Sequence, residues 1–270
     1  MTLGFSAFAS SSSGNCYYIK SETTHLLVDV GISASRIVSA LETLGEKPAE
    51  ISAVFLTHEH VDHVKSVSAF HKKAPDAWFI ASEGTAAGLE PKAADAIAEK
   101  LVIISPENCD LMVGDILVHS FPLSHDAAQP TAYTFEKDGK KIAIVTDTGC
   151  VTEEVYDAMK DADLLVLEAN HEENILLYGR YPYPVKRRIL SDVGHLSNET
   201  AGMCLVQLLR EPDRCKVPRV FLAHLSRENN TPQQAFLTVR NVLEEADYYI
   251  GKDLYMDVLG PEQTPILTEV

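Results

Sequence analysis

The chain has 270 residues, 46% of them apolar, and carries 23 basic against 39 acidic residues for a net charge of −16. That is enough apolar material for one large core, and the charge excludes a protein that holds nucleic acid through an overall basic coat, though not one with a local basic groove. No apolar run reaches the roughly eighteen residues that a membrane-spanning helix needs, so nothing in the sequence is expected to span a membrane. The five cysteines, Cys16, Cys109, Cys150, Cys204 and Cys215, are odd in number and form no CxxC pair, as expected of structural thiols in a reducing compartment. Leu3 to Ser13 is apolar and serine-rich but lacks a basic leading region and runs straight into a strand. It does not read as a signal peptide, and the expected location is the cytoplasm.

Phe5 to Phe8 and Tyr17 to Ile19 read as strands about the loop Ser10 to Asn15, which is either a flexible turn or a row of N–H groups and hydroxyls facing an anion. The strand His25 to Val30 closes on Asp29-Val30-Gly31. Ile37, Val38, Leu41 and Leu44 then share a helical face that Gly45 and Pro48 end. Ile51 to Leu56 is a buried strand, Asp62 to Lys72 a helix, Trp78 to Ala81 a strand, and Ala86 to Glu99 a surface helix interrupted by Pro91. Leu101 to Ile104 and Ile116 to Phe121 are strands, the second entered by a turn at Gly114-Asp115. Ala132 to Phe135 and Lys141 to Val145 form a hairpin about Asp138-Gly139. Thr146-Asp147-Thr148-Gly149 repeats the earlier form of strand, Asp, spacer, Gly, a trace of an internal two-fold repeat. Strands Leu164 to Leu167 and Val220 to Ala223, and helices Glu199 to Leu209 (capped by Ser197 or Asn198) and from Thr231-Pro232, complete the pattern. No linker divides the chain, so residues 1–270 read as one domain of two αβ halves.

The chemistry concentrates in Thr57-His58-Glu59-His60-Val61-Asp62-His63, directly after a buried strand. On extended backbone His58 and His60 point the same way, while Asp62 and His63 fall on a first helical turn. Imidazole with carboxylate is the donor set for zinc, manganese or iron. One divalent ion rarely takes four ligands from so short a loop, so the spacing calls for two ions side by side. A solvated histidine-rich loop does not explain four such residues in this order. His125, Asp147 and His224 each follow a strand by one or two residues, where strand ends of layered α/β proteins converge. His25, His71 and His119 read as ordinary loop or surface residues.

Asp29, the His58 to His63 loop, His125, Asp147 and His224 resemble the five ordered motifs of the metallo-β-lactamase superfamily over nearly the whole chain. The resemblance implies a four-layer αββα sandwich with two divalent ions. It assigns His58, His60 and His125 to one ion, Asp62, His63 and His224 to the other, Asp147 as a bridge, and Asp29 as a buried residue that orients the loop. Lactamases proper use Cys at the bridging position, and Cys150 does not fit it, which sets a β-lactamase aside. The ions would activate a shared water against phosphorus, with Asp62 orienting it, and a bridging hydroxide as nucleophile. Gly194-His195-Leu196-Ser197 is similar to the segment of tRNase Z-type nucleases whose histidine is the general acid, which implies that role for His195. The segments Ser12 to Tyr18, Gly179 to Pro184, Gly194 to Asn198 and His224 to Asn230 look like the YycJ/WalJ group of bacterial, cytoplasmic 5′→3′ DNA exonucleases, so DNA is the implied substrate.

Arg180 to Arg188 holds four basic side chains, two tyrosines and two prolines; this loop is the candidate grip, with Arg180, Lys186 and Arg187 tracking phosphates and tyrosines stacking on frayed bases. Asn15, Ser197, Asn198, Ser226 and Arg227 are further candidate contacts, and Glu168 and His171 are expected behind the metal ligands rather than on the metal. The alternative function is a small-molecule phosphodiesterase or a glyoxalase II-like thioesterase of the same fold.

Overall fold

The computed structural model describes residues 3–107, 109–211 and 218–270; Cys215 lies outside the described residues. Cys16, Cys109, Cys150 and Cys204 are free thiols. The chain forms two compact units, the first of Met1–Pro122, Ala127–Lys140 and Pro261–Val270, the second of Leu123–Asp126 and Lys141–Gly260.

The first unit begins with strands β1 (Gly4–Ala9), β2 (Cys16–Lys20) and β3 (His25–Val28), then helix α1 (Ala34–Thr43), β4 (Ile51–Phe55), α2 (Val61–Val64), α3 (Val67–His71), β5 (Trp78–Ser82), α4 (Glu83–Gly88), α5 (Pro91–Ile97) and β6 (Leu101–Ile104). Strands β7 (Cys109–Val113), β8 (Ile116–Pro122) and β9 (Thr131–Lys137) form an antiparallel meander. The second unit carries β10 (Lys140–Val145), α6 (Glu153–Met159), β11 (Leu164–Glu168), α7 (Glu173–Tyr178), α8 (Tyr183–Ile189), α9 (Asn198–Leu209), β12 (Arg219–Ala223), α10 (Pro232–Glu245) and β13 (Tyr255–Val258). The short β14 (Thr268–Glu269) belongs to the first unit.

In the first unit a seven-stranded sheet runs β14-β1-β2-β3-β4-β5-β6, antiparallel up to β3 and parallel from β3 onward. Its central strands are apolar on both faces, as parallel strands covered on both sides must be. Phe55 at the end of β4 packs edge-on against Tyr133 and Phe135 of β9, with ring centroids 5.0 and 5.6 Å away. Such pairs add about 0.5–1.5 kcal/mol each beyond their buried area. In the second unit β10, β11, β12 and β13 are all parallel. Gly202 of α9 lies against Val242 of α10, where a Cβ would come within 2.9 Å of that side chain, so the two helices approach closely.

Several expectations shift. The helix expected over Asp62 to Lys72 is two short ones, because Ser66 turns its N–H to the Val30 carbonyl and its hydroxyl to that of Ile32. Pro91 opens a second helix instead of interrupting one, as suits a residue without an N–H. Strands β7, β13 and β14 were not expected; β7 is only half-buried and carries Asp110 amid its apolar residues. His25 opens β3, as the strand reading places it, and is half-buried with Nδ1 2.9 Å from the Tyr18 hydroxyl. Among the described residues no helix is long and apolar enough to cross a membrane.

Asp115 fastens the β7–β8 turn to the β2–β3 turn. It accepts from Ser21 Oγ, Thr24 Oγ1 (2.7 Å) and Lys137 Nζ. Burial is the largest single influence and works against its charge, but the bonds from Lys137, Ser21 and Thr24 together outweigh it and hold the carboxyl well below the usual carboxylate range. A lowered native pKa stabilises the fold above the unfolded value and loses that contribution as pH falls. Asp115→Asn is therefore expected to lower the denaturation midpoint at neutral pH, with the difference from the parent shrinking as pH drops below about 4. Paired urea titrations at several pH values measure it, and a constant difference would refute the assignment.

Candidate metal centre

Each unit carries its own cluster of metal-type donors. In the first, β3 ends on Asp29, wholly buried and in the left-handed region at φ 61°. Its carboxylate accepts the Thr57 N–H (2.9 Å), the Thr57 hydroxyl (2.9 Å) and His63 Nδ1–H (2.7 Å). Burial raises the pKa of Asp29, opposed by His63 and Thr57. The Thr57 hydroxyl has one proton and gives it to Asp29, so it accepts from His58 Nδ1, 3.0 Å away. Both rings are thereby held by Nδ1, which leaves Nε2 with the lone pair that a metal ion requires. His60 lies edge-on to His58, with centroids 4.5 Å apart, and Asp62 is half-buried with Oδ2 at 3.5 Å from His63 Nε2. Backbone bonds fix the loop: Val30 N–H to His63 O, Asn15 N–H to Asp62 O and Gly31 N–H to Asn15 O. A Cβ on Gly31 would fall 1.6 Å from the Asp62 carbonyl, so only glycine allows this approach.

The second unit repeats the device. Asp147 follows β10 at φ 64° and His224 follows β12 at φ 55°. His224 Nδ1–H donates to Glu168 Oε1 (2.9 Å), and His125 Nδ1–H to the Gly194 carbonyl (3.0 Å), so both again present Nε2. His224 Nε2 lies 3.3 Å and His125 Nε2 3.9 Å from Asp147 Oδ1. Two lone-pair atoms at 3.3 Å call for a proton or a cation between them. His195 Nδ1–H donates to the same Glu168 oxygen at 2.7 Å. The other Glu168 oxygen accepts the N–H groups of Thr148 (3.0 Å) and Leu196 (3.3 Å). Burial opposes ionisation of Glu168, yet the charge and hydrogen bonds of His195 and His224 prevail and hold it well below the carboxylate range. Burial lowers the pKa of His125 against the pull of Asp147, and lowers that of His171 to about 4. Asp147, Glu168, His195 and His224 each offer a donor atom within 4.8 Å of the others. Buried Nε2 atoms beside a carboxylate, with the Nδ1 atoms of His58, His63, His125 and His224 engaged by protein, fit a divalent transition metal by donor type and by ring orientation.

The expected substrate contacts divide. Asn15 is 0% exposed; its side chain bonds Ser11 on both edges and approaches His63 Nε2 at 3.1 Å, so it clamps two loops and does not face solvent. The Ser10 to Asn15 loop is likewise bonded to itself, Ser11 Oγ to Ser13 Oγ, with Ser10 on Tyr17. Asn198 is equally buried, exchanging bonds with Asn230 and donating to Glu172. Ser197 caps α9 through the Thr200 N–H, and Ser226 Oγ accepts from Asn229. The basic stretch expected as a loop is largely helix α8, in which Lys186 caps the carbonyls of Leu177 and Gly179. Arg180, Arg187 and Arg227 remain exposed. The part that sequence reasoning left undefined is the double role of Glu168. Its signal was a carboxylate closing an apolar strand, as at Asp29 and Asp147, but its partners lie 27 and 56 residues away.

Residues 24–224 match the beta-lactamase superfamily domain. The chain is 36% identical over 267 residues to the exodeoxyribonuclease WalJ of Streptococcus pneumoniae, covering 98% of this chain and 97% of that one. It is also 36% identical over 252 residues to the exodeoxyribonuclease YycJ of Bacillus anthracis, covering 93% of each. In fold it is similar to the crystal structure of Zn(2+)-bound PqqB from Methylobacterium extorquens, with TM-score 0.72 and 16% identity over 99% of this chain and 100% of that one.

Glu168→Gln keeps the size of the side chain but removes the charge that both rings share. The expected result is a metal affinity about 10–100-fold lower in a chelator-competition titration, with the far-ultraviolet circular dichroism unchanged. Parent-like affinity would show that Glu168 only holds loops.

Proposed function

The chain belongs to the metallo-β-lactamase superfamily, in the family of the WalJ and YycJ exodeoxyribonucleases, and from that membership we propose that it is a metal-dependent nuclease digesting DNA from a 5′ end. The ligand set that the motif order implies is His58, His60 and His125 for one divalent ion, Asp62, His63 and His224 for a second, and Asp147 shared. Zinc, manganese and iron all suit these donors. When bound, such ions lower the pKa of water toward neutrality and draw charge from a phosphate.

The chain's own residues do the rest. Asp29 and Thr57 keep His58 and His63 in the tautomer that exposes Nε2. Asp62, half-buried at the first turn of α2, is the carboxylate to orient the attacking water and accept its proton. His195 is the acid for the leaving oxygen. Glu168 carries this reading: one buried carboxylate holds His195 and His224 by their Nδ1 atoms, so a proton would leave His195 from Nε2. A histidine that only capped α9 would not need this partner, and Ser197 already supplies the cap. The free thiols support the cytoplasm as the compartment.

The test is cleavage of end-labelled single-stranded and duplex DNA by protein loaded with manganese or zinc. His195→Ala is expected to lower kcat about 10²–10⁴-fold with metal content retained. Failure of metal-replete protein to cut any polynucleotide, with turnover of small esters, would replace this reading by a small-molecule hydrolase.

A further inference from the structure

Ser124, His125 and Asp126 are consecutive, and the side chain of each bonds the same stretch of chain, residues 188–194 at the end of α8. Ser124 Oγ donates to the Asp192 carbonyl (2.7 Å), His125 Nδ1–H to the Gly194 carbonyl (3.0 Å) and Arg188 Nε–H to Asp126 Oδ2 (2.7 Å). Gly149 closes the seam. Its N–H donates to the Ser124 carbonyl (2.8 Å), and a Cβ on it would fall 2.3 Å from the Asp192 carbonyl. The bonds from Ser124 and His125 fix a loop and a tautomer. The Arg188 bond has a further effect: it leaves the other Asp126 oxygen, Oδ1, 3.3 Å from His125 Nε2, nearer than Asp147 Oδ1 at 3.9 Å. With Nδ1–H given to Gly194, Nε2 is the atom His125 turns to a metal ion.

We propose that Asp126 is a positioning residue of the metal centre: its charge, set beside His125 Nε2, tightens the hold on the ion that His125 binds, and Arg188 is the counter-charge that offsets it. This rests on the metal centre of the nuclease reading and adds to it two residues that the motif order leaves without a role. The side chains of Asp126 and Arg188 are 29% and 51% exposed, and an ion pair so open to water contributes little to stability. Asp126 could also satisfy Arg188 without approaching the ring. Among the described residues Asp126 belongs to none of the groups of three or more donors that gather within 4.8 Å of one another, so it brings charge and not a coordinate bond. Imidazole ligands are neutral, and a carboxylate a few ångströms away lowers the energy of a dication among them. Arg188, on the far oxygen of the same carboxylate, acts on that ion with the opposite sign.

Zinc affinity of the full chain, measured by chelator competition with far-ultraviolet circular dichroism as the check on folding, tests this. Asp126→Asn keeps the size of the side chain and removes its charge, and is expected to weaken binding about 10–100-fold. Arg188→Gln removes a cation and leaves the carboxylate, and is expected to bind as tightly as the parent or more tightly. A mere brace behaves otherwise: both variants break the same bond, and equal weakening by the two would overturn the proposal, as would parent-like affinity in Asp126→Asn. Cobalt(II) in place of zinc reports coordination by its visible absorption. Its bands in Asp126→Asn are expected to match the parent's, and shifted bands would make Asp126 a ligand and refute the charge role. Should Asp126→Asn fail to fold, Arg188→Gln decides alone, and weaker binding refutes the proposal. A parent protein that takes up no divalent ion would sink the metal centre together with this inference. Weakened binding by Asp126→Asn in a protein that cuts no polynucleotide would uphold the inference and sink the nuclease reading alone.

Discussion

Glu168 sits where an ionised carboxylate is costly, with no surface exposed, and is held there by four donors. Two are ring nitrogens and two are backbone amides, drawn from the turns after β10 and β12 and from the approach to α9. Desolvating a carboxylate costs several kcal/mol, and only a full set of partners offsets it. That requirement makes the group an ordering element. The turns can satisfy it only in one mutual arrangement, which is also the arrangement that presents His224 and His195 through their Nε2 atoms.

The first unit solves the same problem with Asp29. Asp29 and Asp147 occupy corresponding positions, each just past a buried strand and each in the left-handed region, at φ 61° and 64°. Such backbone is uncommon for a non-glycine residue and costs about 1 kcal/mol or more, so it persists where something else demands it. For Asp29 the demand is visible in the bonds to Thr57 and His63. Asp147 instead turns its carboxylate toward the rings of His125, His195 and His224. A repeated backbone thus carries two different duties, one orienting and one facing the donors directly.

Much of this was legible in the sequence because the donor residues are chemically distinctive and follow apolar runs that are easy to recognise. The turn at Asp138-Gly139 and the caps at Ser197 and Thr231 followed from local chemistry in the same way. The side chains of Asn15, Asn198 and Lys186 hold loops together, which local sequence does not distinguish from a phosphate contact. Asn15, Asn198 and Lys186 have the polarity of phosphate contacts, but a clamp between loops uses the same residue types and differs only in which way the side chain turns. That direction is set by partners such as Asp62, Asn230 and Gly179, which are distant in sequence or invisible to a periodicity argument. Strands β7 and β14 are not legible in the sequence because Cys109-Asp110-Leu111-Met112-Val113 lacks a regular polar–apolar alternation and β14 is only two residues long.

The pairing of β14 with β1 has a temporal consequence. Phe5 faces Thr268 and Gly4 faces Glu269, so the border of the first sheet is completed by residues synthesised after the whole of the second unit. At ribosomal speeds of about 5–20 residues per second, β1 waits some tens of seconds with one side of its amides and carbonyls unclaimed. A strand that the finished fold buries throughout is, for that interval, a template for the wrong neighbour.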